Sequence, residues 1–188
     1  MIKTAVVILN WNGIAWLQKF LAIVVRFSAG RDIVVYLADN GSTDGSAEWV
    51  SKNFGVVTII RLESNHGFAG GYNLALKQIT AKYFVLLNSD AEVTEGWLDP
   101  MIKHMDQNPD VASCQPKIRS YHERDHFEYA GAAGGYIDKF GYTFCRGRIF
   151  ENIEKDTGQY DNFTDIFWSS GACMMVRSDA WTQCGGFD

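Results

Sequence analysis

Residues 83–92, Tyr83-Phe84-Val85-Leu86-Leu87-Asn88-Ser89-Asp90-Ala91-Glu92, constrain the chain most. Five apolar residues run without a break and stop at Asn88. A short unbroken run suits a strand covered on both faces, as in a parallel sheet; a strand with one wet face would alternate. Asp90 then falls just past the strand's carboxyl end, where open α/β sheets bind ligands. If the chain stays extended, Asn88, Asp90 and Glu92 share one side. Oxygen ligands there suit a hard divalent cation that also takes phosphate oxygens from its substrate. The same Asn-Ser-Asp is turn chemistry, and on this stretch alone both readings stand.

The preceding stretches repeat one pattern. Residues 4–9 are a strand-like run ending at Asn10-Trp11-Asn12-Gly13. Ile14, Leu17, Leu21, Val24 and Val25 then recur at helical spacing. Residues 32–38 form a second run, ending at Asp39-Asn40-Gly41-Ser42-Thr43-Asp44-Gly45-Ser46, dense in residues that turn the chain or cap helices. A short helix through Ala47, Trp49 and Val50 and a third strand over 56–62 follow. A glycine-rich loop, 63–73, then leads into a helix carrying Leu74, Leu76 and Ile79. Its glycines either bring backbone close to a ligand at a helix amino end or pack against the sheet. The loop is not G-x-G-x-x-G, so a dinucleotide fingerprint is not supported. Four alternating strands predict an α/β fold: a Rossmann-like, mostly parallel sheet with right-handed crossovers. The polar loops after strands one, two and four then meet at one edge, which is the main argument for a site.

Further on, Thr94 is placed as the cap of a helix with Trp97, Leu98, Met101, Ile102 and Met105 inward. Residues 111–118 read as another strand. Residues 121–168 are aromatic, charged and broken by glycines, and predict a hairpin-rich excursion over the site. His122-Glu123-Arg124-Asp125-His126 matches H-E-x-x-H but lacks the amphipathic helix and third ligand of a zinc protease, so a solvated loop is expected. Residues 166–176 read as a buried strand with a small-residue kink, and Ser178 as the cap of a short last helix.

One domain accommodates the 188 residues. A net charge of −5 without a basic block argues against nucleic acid as partner. Cys114, Cys145, Cys173 and Cys184 are widely spaced, so free thiols in a reducing cytoplasm are expected. No signal peptide or membrane span is visible.

These residues carry a resemblance. Val7-Ile8-Leu9-Asn10-Trp11-Asn12-Gly13, Asp39-Asn40-Gly41-Ser42-Thr43-Asp44-Gly45-Ser46 and Asn65-His66-Gly67-Phe68-Ala69-Gly70-Gly71-Tyr72-Asn73 are followed by Leu86-Leu87-Asn88-Ser89-Asp90, Ser170-Gly171-Ala172 and Gly185-Gly186-Phe187-Asp188. In this order, over nearly the whole chain, they resemble family 2 glycosyltransferases of the nucleotide-binding A-type fold, near the rhamnosyltransferase-like branch. The resemblance implies one catalytic domain over 1–188. Its nucleotide-sugar-binding half is 1–118, and its acceptor-side half, 119–188, is incomplete. The implied reaction is inverting, assisted by Mg²⁺ or Mn²⁺, and belongs to polysaccharide biosynthesis. It moves a hexosyl or rhamnosyl group from a dTDP-, UDP- or GDP-linked donor to a glycan or lipid-linked acceptor. By the same resemblance Leu9, Asn10 and Trp11 line the base pocket and Asp39 accepts a hydrogen bond from the base. Asn65, Gly67, Asn73 and Asn88 complete the donor side, Asp90 holds the cation, and Ser170, Gly171 and Ala172 lie near the sugar and acceptor.

Two departures qualify the match. Asn88 stands where the family's D-x-D-type motif has its first acid. The family's Glu-Asp pair, with its carboxylate base, would follow Gly-Gly-Phe-Asp, after the last residue here. The chain is therefore expected to be a fragment that binds donor and transfers it poorly. Asp188 is the nearest candidate base, and its family position argues against it. Peripheral membrane association through absent segments, in the cytoplasm or at the inner membrane face, is also implied. A non-catalytic nucleotide-sugar binding module is the alternative. A sugar-phosphate nucleotidyltransferase would need a basic glycine-rich loop after strand one, which Leu9-Asn10-Trp11-Asn12 is not.

Overall fold

A computed structural model of the chain describes residues 2–188. Strands β1 (Thr4–Asn10), β2 (Ile33–Asp39), β3 (Thr58–Arg61) and β4 (Tyr83–Asn88) alternate with helices α1 (Ile14–Phe27), α2 (Ser46–Asn53) and α3 (Gly67–Leu76). Then come α4 (Leu98–Gln107), β5 (Ser113–Cys114), β6 (Gly135–Ile137), β7 (Thr143–Cys145), β8 (Arg148–Ile149) and β9 (Asn152–Ile153). The described chain closes with β10 (Cys173–Arg177) and α5 (Ser178–Cys184).

The main sheet has the order β3-β2-β1-β4-β10-β5. Its first four strands are parallel, and β10 is antiparallel to both β4 and β5. The expected mostly parallel α/β sheet is thus present. Alternate residues of β1 and β4 go to opposite sides. Val6, Ile8, Val85 and Leu87 pack with Leu17 and Leu21 of α1 and Leu98 and Met105 of α4. Ala5, Val7, Phe84 and Leu86 pack with Tyr72, Ala75 and Leu76 of α3. Both faces are covered, which is why these strands have no polar alternation. Each large side chain buried there contributes about 1.5–3 kcal/mol.

Later elements depart from expectation. α4 begins at Leu98, after a turn in which the Trp97 N–H donates to the Thr94 carbonyl at 3.2 Å, so Thr94 does not cap it. The strand expected over 111–118 shrinks to Ser113–Cys114. Pro116 has no N–H to give a ladder, and Ile118 bonds instead to Ala132 and Glu128. The strand expected over 166–176 starts only at Cys173, because Phe167 and Trp168 pair with Gly135 and the Ser170 N–H is taken by Gln115. Ser178 opens α5 without a side-chain capping bond.

The excursion is hairpin-rich as expected. Strands β6 to β9 form an antiparallel meander. Its small core gathers Phe127, Ala132, Ala133 and Cys145, with Tyr160 and Trp168 against them. Gly147, at φ +93°, makes room for the Phe127 ring: a Cβ there would meet Cδ2 at 2.5 Å.

Candidate donor-binding edge

The sheet grows from β1 through β2 to β3 on one side, then resumes at β4 on the other. The gap between β1 and β4 is therefore the topological switch point, where the carboxyl ends of parallel strands leave a crevice. Register brings Asn10 opposite Asp39 and Leu9 opposite Asn88 at that end.

Asn10 organises the first wall. Fully buried, it donates from Nδ2 to Ser46 Oγ at 2.8 Å, to Ser42 Oγ at 3.1 Å and to Asp39 Oδ1 at a long 3.5 Å. Its own Oδ1 is buried without a partner. Asp39 is only 4% exposed, and that long contact is its side chain's one hydrogen bond among the described residues. It thus retains capacity to accept from an N–H. Trp11, next along the edge, is 57% exposed and free to stack on a flat ring. Asn12, at φ +51°, accepts the Thr43 N–H on Oδ1 at 2.7 Å. Leu9 packs inward, under Gly71 of α3.

The glycine-rich loop is tied to the end of β2 by Asn40. This buried amide donates to Asn65 Oδ1 and to the Gly67 carbonyl, each at 3.0 Å, and accepts the His66 N–H at 3.0 Å. Asn65 also accepts the Gly67 N–H at 2.8 Å. Here the packing reading of the glycines gains: a Cβ on Gly71 would lie 2.8 Å from Leu9 Cδ1. Asn73, expected on the donor side, is committed elsewhere. Its amide donates to the Phe187 carbonyl at 2.8 Å and accepts the Phe187 N–H at 2.9 Å.

The second wall forms where β4 ends. Ser89 and Asp90 turn rather than extend, with the Ala91 N–H donating to Asn88 O at 3.3 Å, so the one-sided extended arrangement does not form. Asn88, Asp90 and Glu92 nevertheless line one cavity of about 690 Å³. The Asn88 N–H donates to Ala172 O at 3.0 Å, which brings the Ser170-Gly171-Ala172 segment to the same edge. Gly171 lies under the Phe68 ring. The cavity's far side comes from the excursion. There Arg124 Nη2 pairs with Glu92 at 2.8 Å, Lys117 Nζ with Asp156 at 2.8 Å, and Glu128 accepts the Ala130 and Gly131 N–H groups. Asp90 is exposed and makes no hydrogen bond or ion pair among the described residues.

No cluster of three or more metal-ligating side chains exists among the described residues. A lone free carboxylate beside an open cavity still fits Mg²⁺ or Mn²⁺, because such ions are held by one or two carboxylates plus substrate phosphates. The H-E-x-x-H stretch is an exposed loop, with His126 Nδ1 against Asp125 at 2.9 Å. Asp188 is exposed and lies outside the cavity lining.

Sequence reasoning missed Asn40 and Asp44. Asp44 Oδ1 accepts the Ser46 N–H at 3.0 Å, and its Oδ2 accepts the Ile14 N–H at 2.9 Å. Its position two residues before Ser46 was a signal for the local bond only. The cavity wall from Lys117 to Arg124 had no local signal, since only the fold carries it to Asp90.

The sequence profile of Glycosyl transferase family 2 matches residues 5–182. The chain belongs to that family. It is 26% identical to the N-acetylglucosaminyl-diphospho-decaprenol L-rhamnosyltransferase of Mycobacterium tuberculosis, over 92% of this chain and 60% of that protein. The chain thus spans about 60% of the length of that relative. The fold is shared with S. aureus TarS 1-349, at a TM-score of 0.67 and 16% identity over 97% of this chain and 49% of that one. TarS 1-349 has also been solved with UDP-GlcNAc. The Pyrobaculum calidifontis mannosyltransferase PcManGT, solved with GDP-Man and Mn²⁺, superposes at a TM-score of 0.64 with 17% identity, covering 99% of this chain and 47% of that one.

Proposed function

We propose that the protein takes a sugar from a nucleoside diphosphate donor and transfers it, with inversion, to a glycan or lipid-linked acceptor. One observation carries this reading: a family 2 glycosyltransferase chain places two under-used carboxylates, Asp39 and Asp90, along one sheet edge. Asp39 accepts an N–H from the base, and Trp11 covers the ring. Asp90 is the residue that would hold a divalent cation, which would supply charge neutralisation for the leaving diphosphate. The chain's own part is to orient the donor so that its anomeric carbon faces the 690 Å³ cavity, from which an acceptor hydroxyl attacks. The known ligands of the neighbours, UDP-GlcNAc for TarS and GDP-Man with Mn²⁺ for PcManGT, support a diphosphate donor. The rhamnosyltransferase relative's name supports a lipid-linked acceptor.

Glu92, Glu128 and Asp156 in the cavity already accept from cations or backbone amides, which leaves Asp90 as the one unengaged carboxylate among the described lining residues. That engagement also favours a second reading, donor binding without transfer. The deciding experiment is thermal unfolding with nucleotide sugars and Mn²⁺, followed by an assay of donor consumption with pooled acceptors. A donor at ~100 times its Kd should add about 2.7 kcal/mol. No stabilisation by any UDP-, dTDP- or GDP-sugar overturns the proposal. Stabilisation without consumption selects the second reading.

A further inference from the structure

Charge is unevenly paired in the cavity beside Asp90. Of its three cationic lining residues, Arg124 is paired with Glu92 at 2.8 Å and Lys117 with Asp156 at 2.8 Å. Arg119, the third, is exposed, and its side chain makes no hydrogen bond or ion pair among the described residues. Its charge acts on Asp156, but that carboxylate is already taken up by Lys117 and by the Gly158 N–H at 3.1 Å. The backbone under Arg119 is nevertheless pinned. Arg119 bridges Phe127, the Glu128 N–H donates to Ile118 O at 2.9 Å, and the Ser120 N–H donates to His126 O at 3.0 Å.

A second cation without a carboxylate partner reaches the same rim from α1. Lys19 Nζ lies 4.1 Å from the Tyr121 ring centroid, 4.9 Å from that of Phe20 and 5.5 Å from that of Trp16. Trp16 and Phe20 stack at 6°, and Phe20 meets Tyr121 edge-on at 82°. These rings hold the ammonium through their π faces, and no carboxylate among the described residues accepts from it. Tyr121 lines the cavity two residues after Arg119. That is about 6–7 Å of extended chain, a gap that two long side chains close. The protein carries 22 acidic residues against 17 lysines and arginines, enough to neutralise both cations. Instead two cations from different elements converge, unneutralised, on one rim.

From this we infer that Arg119 and Lys19 select an acceptor whose sugar is linked through phosphate. On the glycosyl-transfer reading, on which this rests, the donor's own diphosphate has its counter-charge at Asp90, where β4 ends. Arg119 belongs to the excursion, which forms the far side of the cavity, and Lys19 stands beside it. The anion they meet therefore enters with the acceptor. A guanidinium takes two phosphate oxygens at once, and an ammonium adds a point charge. A neutral acceptor would leave both cations in water and gain nothing from them. Their role is thus to determine specificity, not to act on the reacting atoms.

The test is calorimetric titration with N-acetylglucosamine 1-phosphate, N-acetylglucosamine and glucuronate, each with and without saturating UDP and Mn²⁺. The native protein should bind the sugar phosphate about tenfold or more above the neutral sugar, and the preference should survive UDP and Mn²⁺. Arg119→Gln and Lys19→Gln should each reduce it, the double variant should abolish it, and Arg119→Lys should keep part of it. Melting temperatures should stay close to native, because both side chains are exposed. A preference that is absent from the native protein, or unchanged in the double variant, overturns the inference. So does a preference that disappears once UDP and Mn²⁺ are bound, or a double variant that loses UDP affinity, since the cations would then serve the donor's diphosphate. Glucuronate bound as well as the sugar phosphate overturns phosphate as the group read. UDP binding is measured by itself. Its absence counts against the glycosyl-transfer reading, and the titrations without nucleotide still decide this one.

Discussion

Asp44 Oδ2 accepts the Ile14 N–H at 2.9 Å, so a residue that follows β2 caps the helix that follows β1. Its Oδ1 does the same for Ser46 at the start of α2. One carboxylate thus holds two helix amino ends beneath the edge where Asn10 and Asp39 meet. Unpaired amides at a helix start are costly, and the macrodipole favours a negative charge there.

Replacing Asp44 with alanine should destabilise the protein by about 1–2 kcal/mol, measured by urea unfolding at neutral pH. The effect should depend on acidity. Burial pushes the Asp44 carboxyl up, but the hydrogen bonds from Ser46 and Ile14 together leave it below the usual 3.8. A lowered folded-state pKa contributes stability that is complete above the unfolded value and is lost as pH falls through the folded one. The native protein and Asp44→Ala should therefore converge in stability below the ordinary aspartate range. A constant gap down to strong acid would refute this assignment.

Asp39→Ala should cost about 10- to 100-fold in affinity for UDP, dTDP or GDP and leave ADP and CDP nearly unchanged. A carboxylate only accepts, and adenine and cytosine offer no ring N–H to it. In the native protein UDP, dTDP and GDP should bind well ahead of ADP and CDP, with UDP or dTDP first. Competition calorimetry over the five diphosphates checks both statements, and equal ADP affinity would remove Asp39 as the reader of the base.

Asp90→Ala should leave the melting temperature unchanged, because the side chain is exposed and makes no bond within the chain. It should abolish the increase in nucleoside diphosphate affinity that Mn²⁺ confers. Titrations with and without Mn²⁺ read the difference, and a persisting metal effect in the variant would move the cation elsewhere.

Asn73→Ala should release the last described residues, not the donor. Losing both bonds to Phe187 should cost about 1–3 kcal/mol and raise amide exchange at 185–188. Nucleotide affinity should hold within about twofold. A large loss of affinity would restore Asn73 to the donor side.

The double-sided burial of β1 and β4 made their apolar runs legible, and with them the sheet and its loaded edge. Strand direction was not legible. Cys173-Met174-Met175-Val176 reads the same whether it runs with β4 or against it, and only the path through the excursion makes it antiparallel. Asn40, Asn65 and Asn73 were indistinguishable as loop amides. Which of them faces a ligand depends on partners 25 to 114 residues away. Asp90 reaches the cavity by a geometry other than the extended one expected: the chain turns there, yet Asn88, Asp90 and Glu92 still line one cavity because the excursion closes over them.

The switch point also has a history in time. Thr4 pairs with Tyr83, so the β1–β4 ladder joins chain segments far apart in sequence, whereas Thr4 also pairs with the much nearer Ile33. Such non-local parallel pairings form slowly, since loop closure must precede the contacts that reward it. The β1–β2 ladder, with Asn10 and Asp39 at its end, closes a shorter loop than the β1–β4 ladder that leads to Asp90. Chain entropy thus weighs unequally on the two walls: the ladder that sets Asp39 beside Asn10 closes the shorter loop, and the ladder that sets Asn88 beside Leu9 closes the longer one.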